Sequence, residues 1–351
     1  MKILLVYDQL NTGGTEKLFV MMANLLHRNG QQVKVVIIRE PAALDFDIET
    51  AIPIVYLHRK NRFSLFTMQK LAKECKAADI IHLHSYYNWR YFYITSIFFR
   101  MGKGRMILHE HSDMKNLKWI DKFVLPEIDA FIAVHPLQEY KAHEAGVAEN
   151  KLFLLPNIVH SVVKLKVEKH RKNRIIMVGN FRREKYYQLA FDILKKLPAH
   201  ISLDIYGNIN DRDYYKELLL LVKNYELTDR VKFISGETNV VSHFHLYDLA
   251  LHTANNETGP LVVLEYLAAG LPFLISSAGQ SPALISRHNS NWVISSYNSS
   301  VWMEAINSFY QLGEEDRMEL QKQMNIVAKR LLSSDQYYTS LLNIYKQAQN
   351  V

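Results

Sequence analysis

The chain has 351 residues, of which 48% are hydrophobic and 22% charged, with 13 glycines and 9 prolines. This is an ordinary globular composition at a length that usually divides into two domains, and it excludes a disordered, fibrous or disulfide-stapled protein. The single cysteine, Cys75, cannot form an internal disulfide, and the N-terminal apolar run meets Asp8 too early for a secretion signal. We therefore expect a reducing, cytoplasmic compartment.

The net charge is 42 minus 35, or +7, and one segment accounts for it. Between Arg59 and Lys122 there are 13 Lys and Arg against 5 Asp and Glu. Such a segment suits nucleic acid, anionic lipid or a phosphorylated substrate. No nucleic-acid-binding motif occurs, so nucleic acid is not expected as a partner. The longest apolar run, Tyr91 to Phe99, is too short to span a bilayer, so we expect a soluble or peripheral protein.

Short apolar, β-branched runs alternate with longer segments of helical period, which predicts an α/β fold with parallel sheets. The clearest helix runs from Thr15 to Asn29 and ends at Gly30, a natural left-handed cap. The strands predicted in the first half are Lys2–Tyr7, Gln32–Ile38, Ile54–Leu57, Ile80–His84, Arg105–His109, Ala130–Val134 and Leu152–Leu155.

The alternation falters in a polar, basic stretch after Pro156 and then restarts, which predicts a second domain of the same type. Ligands of doubly wound sheets bind at the carboxyl ends of the strands, so two such domains in tandem predict a cleft. The second set of strands is Arg174–Val178, Ile201–Tyr206, Val231–Ile234, Leu249–Thr253 and Phe273–Ser276. The predicted divisions are a first domain over 1–160, a linker over 161–172, a second domain over 173–330 and a C-terminal helix over 331–351 that packs back toward the first.

The sharpest local pattern is a pair of glutamates, Glu257 and Glu265, separated by Thr-Gly-Pro-Leu-Val-Val-Leu. Pro260 suits the first turn of a helix, so Glu257 would lie in the preceding loop and Glu265 inside the helix. Both carboxylates could then face one pocket, where the helix N-terminus offers N–H groups and a positive dipole end to a phosphate. Glu265 as an ordinary surface residue of an amphipathic helix is the alternative.

This block resembles the paired-glutamate motif of the retaining glycosyltransferases of family four, and further matches follow in family order. They are Gly13-Gly14-Thr15-Glu16, the run from Asp79 to Ser85, the His-containing run ending at His111, Leu155-Pro156-Asn157, Val178-Gly179 with Lys185, Tyr206-Gly207, and Phe233 to Gly236. The resemblance implies the GT-B fold, in which two Rossmann-like doubly wound domains face each other across a cleft. The N-terminal domain would hold the acceptor and the C-terminal domain the nucleotide-sugar donor.

The resemblance also implies roles for single residues. Glu265 would hold the ribose hydroxyls and Glu257 would face the donor sugar, while Lys185 would neutralise the β-phosphate. We assign catalytic roles to His111, Lys185 and Glu257. Further donor contacts are expected from Gly14, Thr15, Asn180, Arg182, Thr258, Gly259, Pro260 and Leu261, and acceptor-side positions from His84 and Ser85.

One position departs from the family pattern. The family has an arginine directly after the Val-Gly pair, where this chain has Asn180. An amide donates a hydrogen bond but supplies no positive charge to a leaving diphosphate. Either Arg182 or Arg183 replaces the arginine, or the diphosphate is held less tightly; an exposed loop is the plain alternative for both side chains.

Metal sites are not expected. His109 and His111 flank the end of a strand, where alternation puts both on one face and Glu110 on the other. We expect His111 to contact the donor sugar and His109 to be a buried support. A metal held by the two is possible by residue type, but no cysteine or carboxylate cluster completes it. The tripeptides at Asp45–Asp47 and Asp211–Asp213 are expected to serve as caps and solvated loop residues.

The expected function is metal-independent transfer, with retention of configuration, from a nucleotide sugar, by family frequency a UDP-sugar. The acceptor would be a polysaccharide repeat, a glycolipid or another lipid-linked saccharide, and no cofactor is expected. Basic and aromatic residues between Arg59 and Lys122 favour an anionic membrane surface as a partner and a peripheral location on the inner face of the cell membrane. A nucleotide-sugar epimerase, a sugar phosphorylase and a non-catalytic sugar-binding protein are the alternatives.

Overall fold

A computed structural model describes residues 1–11, 13–61, 64–115, 117–159, 165 and 172–350. The chain divides into two compact units. The first contains Met1–Asn157 and Ser334–Val351, and the second contains Ile158–Ser333. The predicted linker over 161–172 lies outside the described residues, apart from Leu165 and Lys172.

The described helices and strands alternate along most of the chain. The first half forms β1 (Lys2–Tyr7), α1 (Gly14–Arg28), β2 (Gln32–Ile37), β3 (Ile54–Tyr56), α2 (Leu65–Cys75), β4 (Ile80–His84), α3 (Tyr86–Phe98), β5 (Arg105–Glu110), α4 (Asp121–Val124), β6 (Ala130–Ala133), α5 (Pro136–Glu144) and β7 (Leu152–Leu154). The second half forms β8 (Arg174–Val178), α6 (Tyr187–Lys196), β9 (Ser202–Tyr206), α7 (Arg212–Asn224), β10 (Val231–Ile234), β11 (Leu249–His252), α8 (Leu261–Ala269), β12 (Phe273–Ser276), α9 (Gln280–Ser286), β13 (Val293–Ile294), α10 (Ser299–Gln311), α11 (Glu314–Leu331) and α12 (Ser334–Asn350).

The first unit is built on a seven-stranded parallel sheet in the order β3-β2-β1-β4-β5-β6-β7. Strand order reverses beside β1, which is the topological switch point of a doubly wound sheet. Alternate residues of β4 point to opposite faces, so Ile81 and Leu83 join the apolar core while His82 and His84 face the other side. The last helix, α12, belongs to this unit and contacts β5.

The second unit repeats the plan with six parallel strands in the order β10-β9-β8-β11-β12-β13. Apolar residues fill both faces: Ile175 and Met177 pack on one side of β8, and Ile176 on the other. Strands buried on both faces explain why their sequences are continuous apolar runs. The carboxyl ends of β8 and β11 lie side by side at the centre of the sheet, where chain reversal leaves room for a ligand.

The sequence-based fold class is confirmed, and the predicted strands are all present to within one residue at each end. Helix α1 ends one residue earlier than predicted, and Gly30 takes the expected left-handed backbone, with φ +79°. One strand was missed, Val293–Ile294, because two residues at a sheet edge carry too little periodicity.

Candidate functional site

The centre of the candidate site is an ion pair between Lys185 and Glu257 in the second unit. The Lys185 ammonium donates a hydrogen bond to Glu257 Oε1. Lys185 lies in the loop after β8 and Glu257 in the loop after β11, so the pair joins the carboxyl ends of two neighbouring strands. The side chains are only 18% and 19% exposed, so solvent screens the pair far less than a surface salt bridge.

Backbone contacts fix the loop that carries Lys185. The Thr253 hydroxyl lies 3.1 Å from the carbonyl oxygens of Lys185 and of Tyr186. The Asn255 N–H donates to the carbonyl of Glu184 at 3.0 Å. Because these contacts come from the segment just before Glu257, the two loops are held together independently of the ion pair.

His252 is a third polar group at this centre. It ends β11, is 2% exposed, and its Nε2 lies 3.8 Å from Glu257 Oε1. Burial, reinforced by the charge of Lys185, lowers the pKa of His252 to about 3, so the ring is neutral. Burial alone would raise the pKa of Glu257, but the charge of Lys185, its hydrogen bond and the charge of Arg182 outweigh burial and hold this pKa below its usual value. Glu257 is therefore a carboxylate.

Two glycines allow the loops of this site to approach one another. Gly279 has φ +96°, and a Cβ there would lie 3.1 Å from the carbonyl oxygen of Thr258 and 3.2 Å from that of Glu257. The next residue, Gln280, donates its N–H to the same Thr258 carbonyl at 2.7 Å. At Gly207, a Cβ would come within 1.9 Å of the Gly179 carbonyl oxygen, so only glycine fits there.

Helix α8 follows Glu257 and carries Glu265. It begins at Leu261, with Pro260 at its N-cap rather than in its first turn as predicted. Thr258 and Gly259 form the approach to this helix and are partly exposed, as is Glu265. The first turn therefore supplies backbone N–H groups and the positive end of the helix dipole directly beside Glu257.

The two arginines that could replace the family arginine have different surroundings. Arg183 donates to Glu217 at 2.6 Å and lies over the Tyr214 ring, 4.9 Å from its centroid. Arg182 is exposed, and its charge contributes to lowering the pKa of Glu257. The Asn180 side-chain oxygen accepts the Asn208 N–H at 3.1 Å, so Asn180 ties the loops after β8 and β9 together.

Four histidines lie side by side on one face of the first unit's sheet, and we call His82, His84, His109 and His111 the histidine cluster. Strands β4 and β5 are neighbours, with His84 in register with His109. The His84 ring stacks on those of His82 and His111, with centroids 4.8 and 5.1 Å apart. His84 Nδ1 lies 2.9 Å from His111 Nε2, and His82 Nδ1 lies 2.7 Å from the hydroxyl of Tyr345 in α12.

Burial keeps the histidine cluster uncharged. It lowers the pKa of His82 and of His111 to about 3, and it holds those of His84 and His109 well below the ordinary value. Within the described ranges, His82 Nε2, His84 Nε2 and both ring nitrogens of His109 have no hydrogen-bond partner. Each buried polar atom without a hydrogen-bond partner lowers the free energy of unfolding by about 1–3 kcal/mol. The histidine cluster therefore destabilises the core relative to apolar residues of the same size.

Glu110 fixes the backbone at the end of β5. Its side chain is buried, and Oε1 accepts the N–H groups of His111 and Ser112 at 3.0 and 2.8 Å, while Oε2 accepts that of Tyr86 at 2.6 Å. These bonds hold His111 at the edge of the sheet on the face opposite Glu110, as the alternation predicted. The expected burial of His109 is confirmed.

The remaining predicted positions lie at element ends. Gly14 and Thr15 form the first turn of α1. Ser85 is the N-cap of α3, with φ +73°, whereas His84 is fully buried in the histidine cluster. Asp211 caps α7 by accepting the N–H groups of Asp213 and Tyr214, which confirms its expected role.

Sequence reasoning missed His252 and Gly279. His252 is one of fifteen histidines and stands in no motif; its only signal is its position at the end of a central strand, beside the paired-glutamate block. Gly279 follows the next strand, β12. Its close approach to the carbonyl groups of Glu257 and Thr258 depends on the folded structure, so no sequence pattern reveals it.

Two Rossmann-like units with parallel sheets define the GT-B class of glycosyltransferase folds. The crystal structure of HepE from Anabaena in complex with UDP and glucose superposes with a TM-score of 0.81 at 16% identity, over 98% of both chains. The sucrose-phosphate synthase of Thermosynechococcus elongatus superposes with a TM-score of 0.78 at 14% identity, over 99% of this chain and 98% of that one. At these identities the likeness establishes the fold alone.

Family models identify the chain more closely. The model described as Glycosyltransferase Family 4 matches residues 12–161, and that described as Glycosyl transferases group 1 matches residues 163–329. The chain belongs to the family-four glycosyltransferases.

Curated relatives match over shorter segments. The N-acetyl-alpha-D-glucosaminyl L-malate synthase of Bacillus anthracis is 28% identical over 119 residues, or 34% of this chain and 31% of that protein. The O-antigen biosynthesis glycosyltransferase WbnH of Escherichia coli is 27% identical over 161 residues, or 46% of this chain and 45% of that protein. The chain thus matches less than half the length of these relatives.

Proposed function

We propose that the protein transfers a sugar from a UDP-sugar to a saccharide or lipid-linked acceptor, with retention of anomeric configuration and without a metal at the diphosphate. The observation that carries the proposal is the partly buried Lys185–Glu257 pair beside the N-terminus of α8. The structure of HepE with UDP and glucose and the name of WbnH support the donor class and the assembly of surface polysaccharide.

The donor diphosphate gains negative charge as its bond to the anomeric carbon breaks. We assign the stabilisation of that charge to the Lys185 ammonium, to Arg182 and to the N–H groups at the start of α8, since all three are positive and lie around Glu257. Glu257 holds Lys185 in place before the donor binds and then accepts a hydroxyl of the donor sugar. Glu265, one turn into α8, binds the ribose hydroxyls.

The acceptor hydroxyl attacks the face of the sugar from which the diphosphate leaves, and its proton passes to the departing phosphate oxygen. One bond to the anomeric carbon breaks as another forms on the same face, so configuration is retained without a covalent enzyme intermediate. Positive charge around the diphosphate is supplied by side chains, so the step requires no divalent cation there.

In the first unit, we assign contacts with the donor's phosphate end to Gly14 and Thr15 and a contact with the transferred sugar to His111. The carboxylate of Glu110 fixes the backbone of His111. The His111 imidazole is neutral, so it offers the sugar a hydrogen bond rather than a charge. His84 is fully buried, which confines the acceptor proposal to Ser85, the partly exposed residue that follows β4.

An exposed apolar ridge supports the membrane part of the proposal. Trp119 is 74% exposed and Phe123 66%, and their rings meet edge to face at 5.8 Å. Lys118 and Lys122, both exposed, flank them. Buried Asp121 fixes the backbone of this segment. Its carboxylate accepts hydrogen bonds from the guanidinium of Arg90 and, at 2.6 Å, from the N–H of Lys118.

Aromatic side chains with flanking lysines suit the interface of an anionic membrane, where each lysine contributes about 1 kcal/mol of attraction. None of the helices in the described ranges is long and apolar enough to cross a membrane. We therefore propose peripheral attachment of the first unit to the inner face of the cell membrane, where a lipid-linked acceptor is presented.

A thermal-shift panel of nucleotide sugars tests the proposal. A donor at 100 times its dissociation constant stabilises the folded state by about 2.7 kcal/mol. Glu265→Ala should remove most of the shift, while Glu304→Ala, an exposed carboxylate on α10, should not. Stabilisation without nucleotide release would favour a binding protein, and conversion of the donor alone to its epimer would favour an epimerase.

A further inference from the structure

Three members of the histidine cluster, His82, His84 and His109, have the features of a metal site, and none of the three is assigned a role in the transfer chemistry. One ring nitrogen from each of His82, His84 and His109 lies within 4.8 Å of the others. All three side chains are fully buried. His82 and His84 lie two positions apart on β4, and His109 on β5 is in register with His84. The sheet backbone therefore fixes the relative positions of the three residues.

The hydrogen bonds within the described part of the cluster leave at least one ring nitrogen of each of these three histidines available. His82 Nδ1 bonds to the Tyr345 hydroxyl and His84 Nδ1 to His111 Nε2, while the Nε2 atoms of His82 and His84 have no partner within the described ranges. A histidine that binds a metal through one nitrogen characteristically bonds a second group through the other. His82 and His84 each show this arrangement.

The residue types also suit a metal. A histidine binds a cation through the lone pair of a ring nitrogen. Three imidazoles are a ligand set for Zn²⁺ and related borderline ions, whereas Mg²⁺ and Mn²⁺ prefer oxygen ligands. Zn–N bonds of about 2 Å require the three nitrogens to lie closer together than 4.8 Å, so zinc binding draws the rings toward one another.

We propose that His82, His84 and His109 form a binding site for one Zn²⁺ ion in the first unit, with Tyr345 of α12 orienting His82. The site is distinct from the Lys185–Glu257 centre in the second unit and takes no part in neutralising the diphosphate. Its consequence is structural: the ion joins β4 to β5, and the Tyr345 bond links α12 to the same point.

Zinc binding is measured on full-length protein without an affinity tag, stripped with a chelator and titrated with ZnCl₂ against a chromophoric competitor. We expect one ion per chain. His109→Gln should weaken binding at least about 100-fold and Tyr345→Phe about 10-fold, as expected for loss of a ligand and of an orienting partner. His143→Gln, which removes an exposed histidine, should bind as the native protein does.

Co²⁺ supplies a readout on the unaltered protein, so the test does not depend on the folding of a variant. We expect the strong visible absorption of tetrahedral Co²⁺ with nitrogen ligands, lost on adding one equivalent of Zn²⁺. Absence of stoichiometric Zn²⁺ binding by the native protein would overturn the proposal. Equal binding by His109→Gln, or an equal loss in His143→Gln, would assign the ion to the surface and overturn it too.

Discussion

The ammonium group of Lys185 hydrogen-bonds the carboxylate of Glu257, although 72 residues separate them in the chain. The pair lies at the carboxyl ends of β8 and β11, where the loops are already joined through Thr253 and Asn255. Lys185 therefore has two roles: it compensates a largely buried carboxylate in the free protein, and in the proposed reaction it stabilises the leaving group.

Lys185→Met should affect both stability and transfer. It leaves Glu257 buried without its cation, which costs about 3 kcal/mol by analogy with other broken buried pairs. Urea unfolding should show this loss, and the double variant Lys185→Met/Glu257→Gln should recover part of it. Transfer should stay at least about 100-fold low in both variants, as expected on losing a preorganised stabilising group. A stable single variant would show that the pair contributes little to folding.

The two neighbouring arginines provide a matched comparison. Arg182→Gln should lower the transfer rate and the affinity for UDP, because Arg182 acts on Glu257. Arg183→Gln should leave both unchanged, because Arg183 bonds Glu217 on α7. Calorimetry with UDP and initial rates would compare them. The reverse order of effects would assign the role of the missing family arginine to Arg183.

The strands were predictable because buried parallel strands are continuous apolar runs. Ile80–His84 was predicted to the residue, although it contains two histidines, because its other residues are apolar. The helix cap at Gly30 followed from local chemistry alone. The two-residue strand Val293–Ile294 was not predictable, since its pairing depends on β12 rather than on its own pattern.

The candidate site was predictable only in part. The paired-glutamate block stood out as a local pattern, but the roles of its glutamates and of Lys185 came from family resemblance. Neither spacing nor periodicity could join residues on different strands. His-x-His spacing placed His109 and His111 on one face, but the histidine cluster arises only because β4 lies next to β5 with His84 opposite His109. Strand order is a property of the whole sheet, so no local pattern contains it.

The histidine cluster should make stability depend on pH. His82, His84 and His109 have folded-state pKa values far below the unfolded value of about 6.5, so the unfolded chain binds more protons as pH falls. Their contribution is complete above pH about 6.5 and is lost toward lower pH, by up to about 1.4 kcal/mol per pH unit for each ring.

Urea unfolding in chelator between pH 7 and 5 would measure this slope. His82→Gln should reduce it by about 1 kcal/mol per pH unit on average over this range, whereas the exposed control His143→Gln should leave it unchanged. Identical slopes in the native protein and His82→Gln would show that His82 titrates in the folded state as it does in the unfolded chain.

The exposed aromatic ridge should mediate membrane binding. Trp119→Ser/Phe123→Ser should reduce sedimentation with phosphatidylglycerol vesicles at least about 10-fold, since two interfacial aromatic side chains are removed. Phe46→Ser is the matched control, because Phe46 is 90% exposed but lies elsewhere in the first unit. Binding should also weaken with salt. Equal loss in the control would mean that general surface hydrophobicity, rather than this ridge, drives the interaction.

The most direct test of the account follows the reaction of a UDP-sugar, with a lipid extract as acceptor, by proton NMR in the presence of EDTA. The account predicts release of UDP, a product with the same anomeric configuration as the donor, no stimulation by Mg²⁺ or Mn²⁺, and loss of the reaction in Lys185→Met. An inverted product, or UDP release that requires either cation, would contradict it.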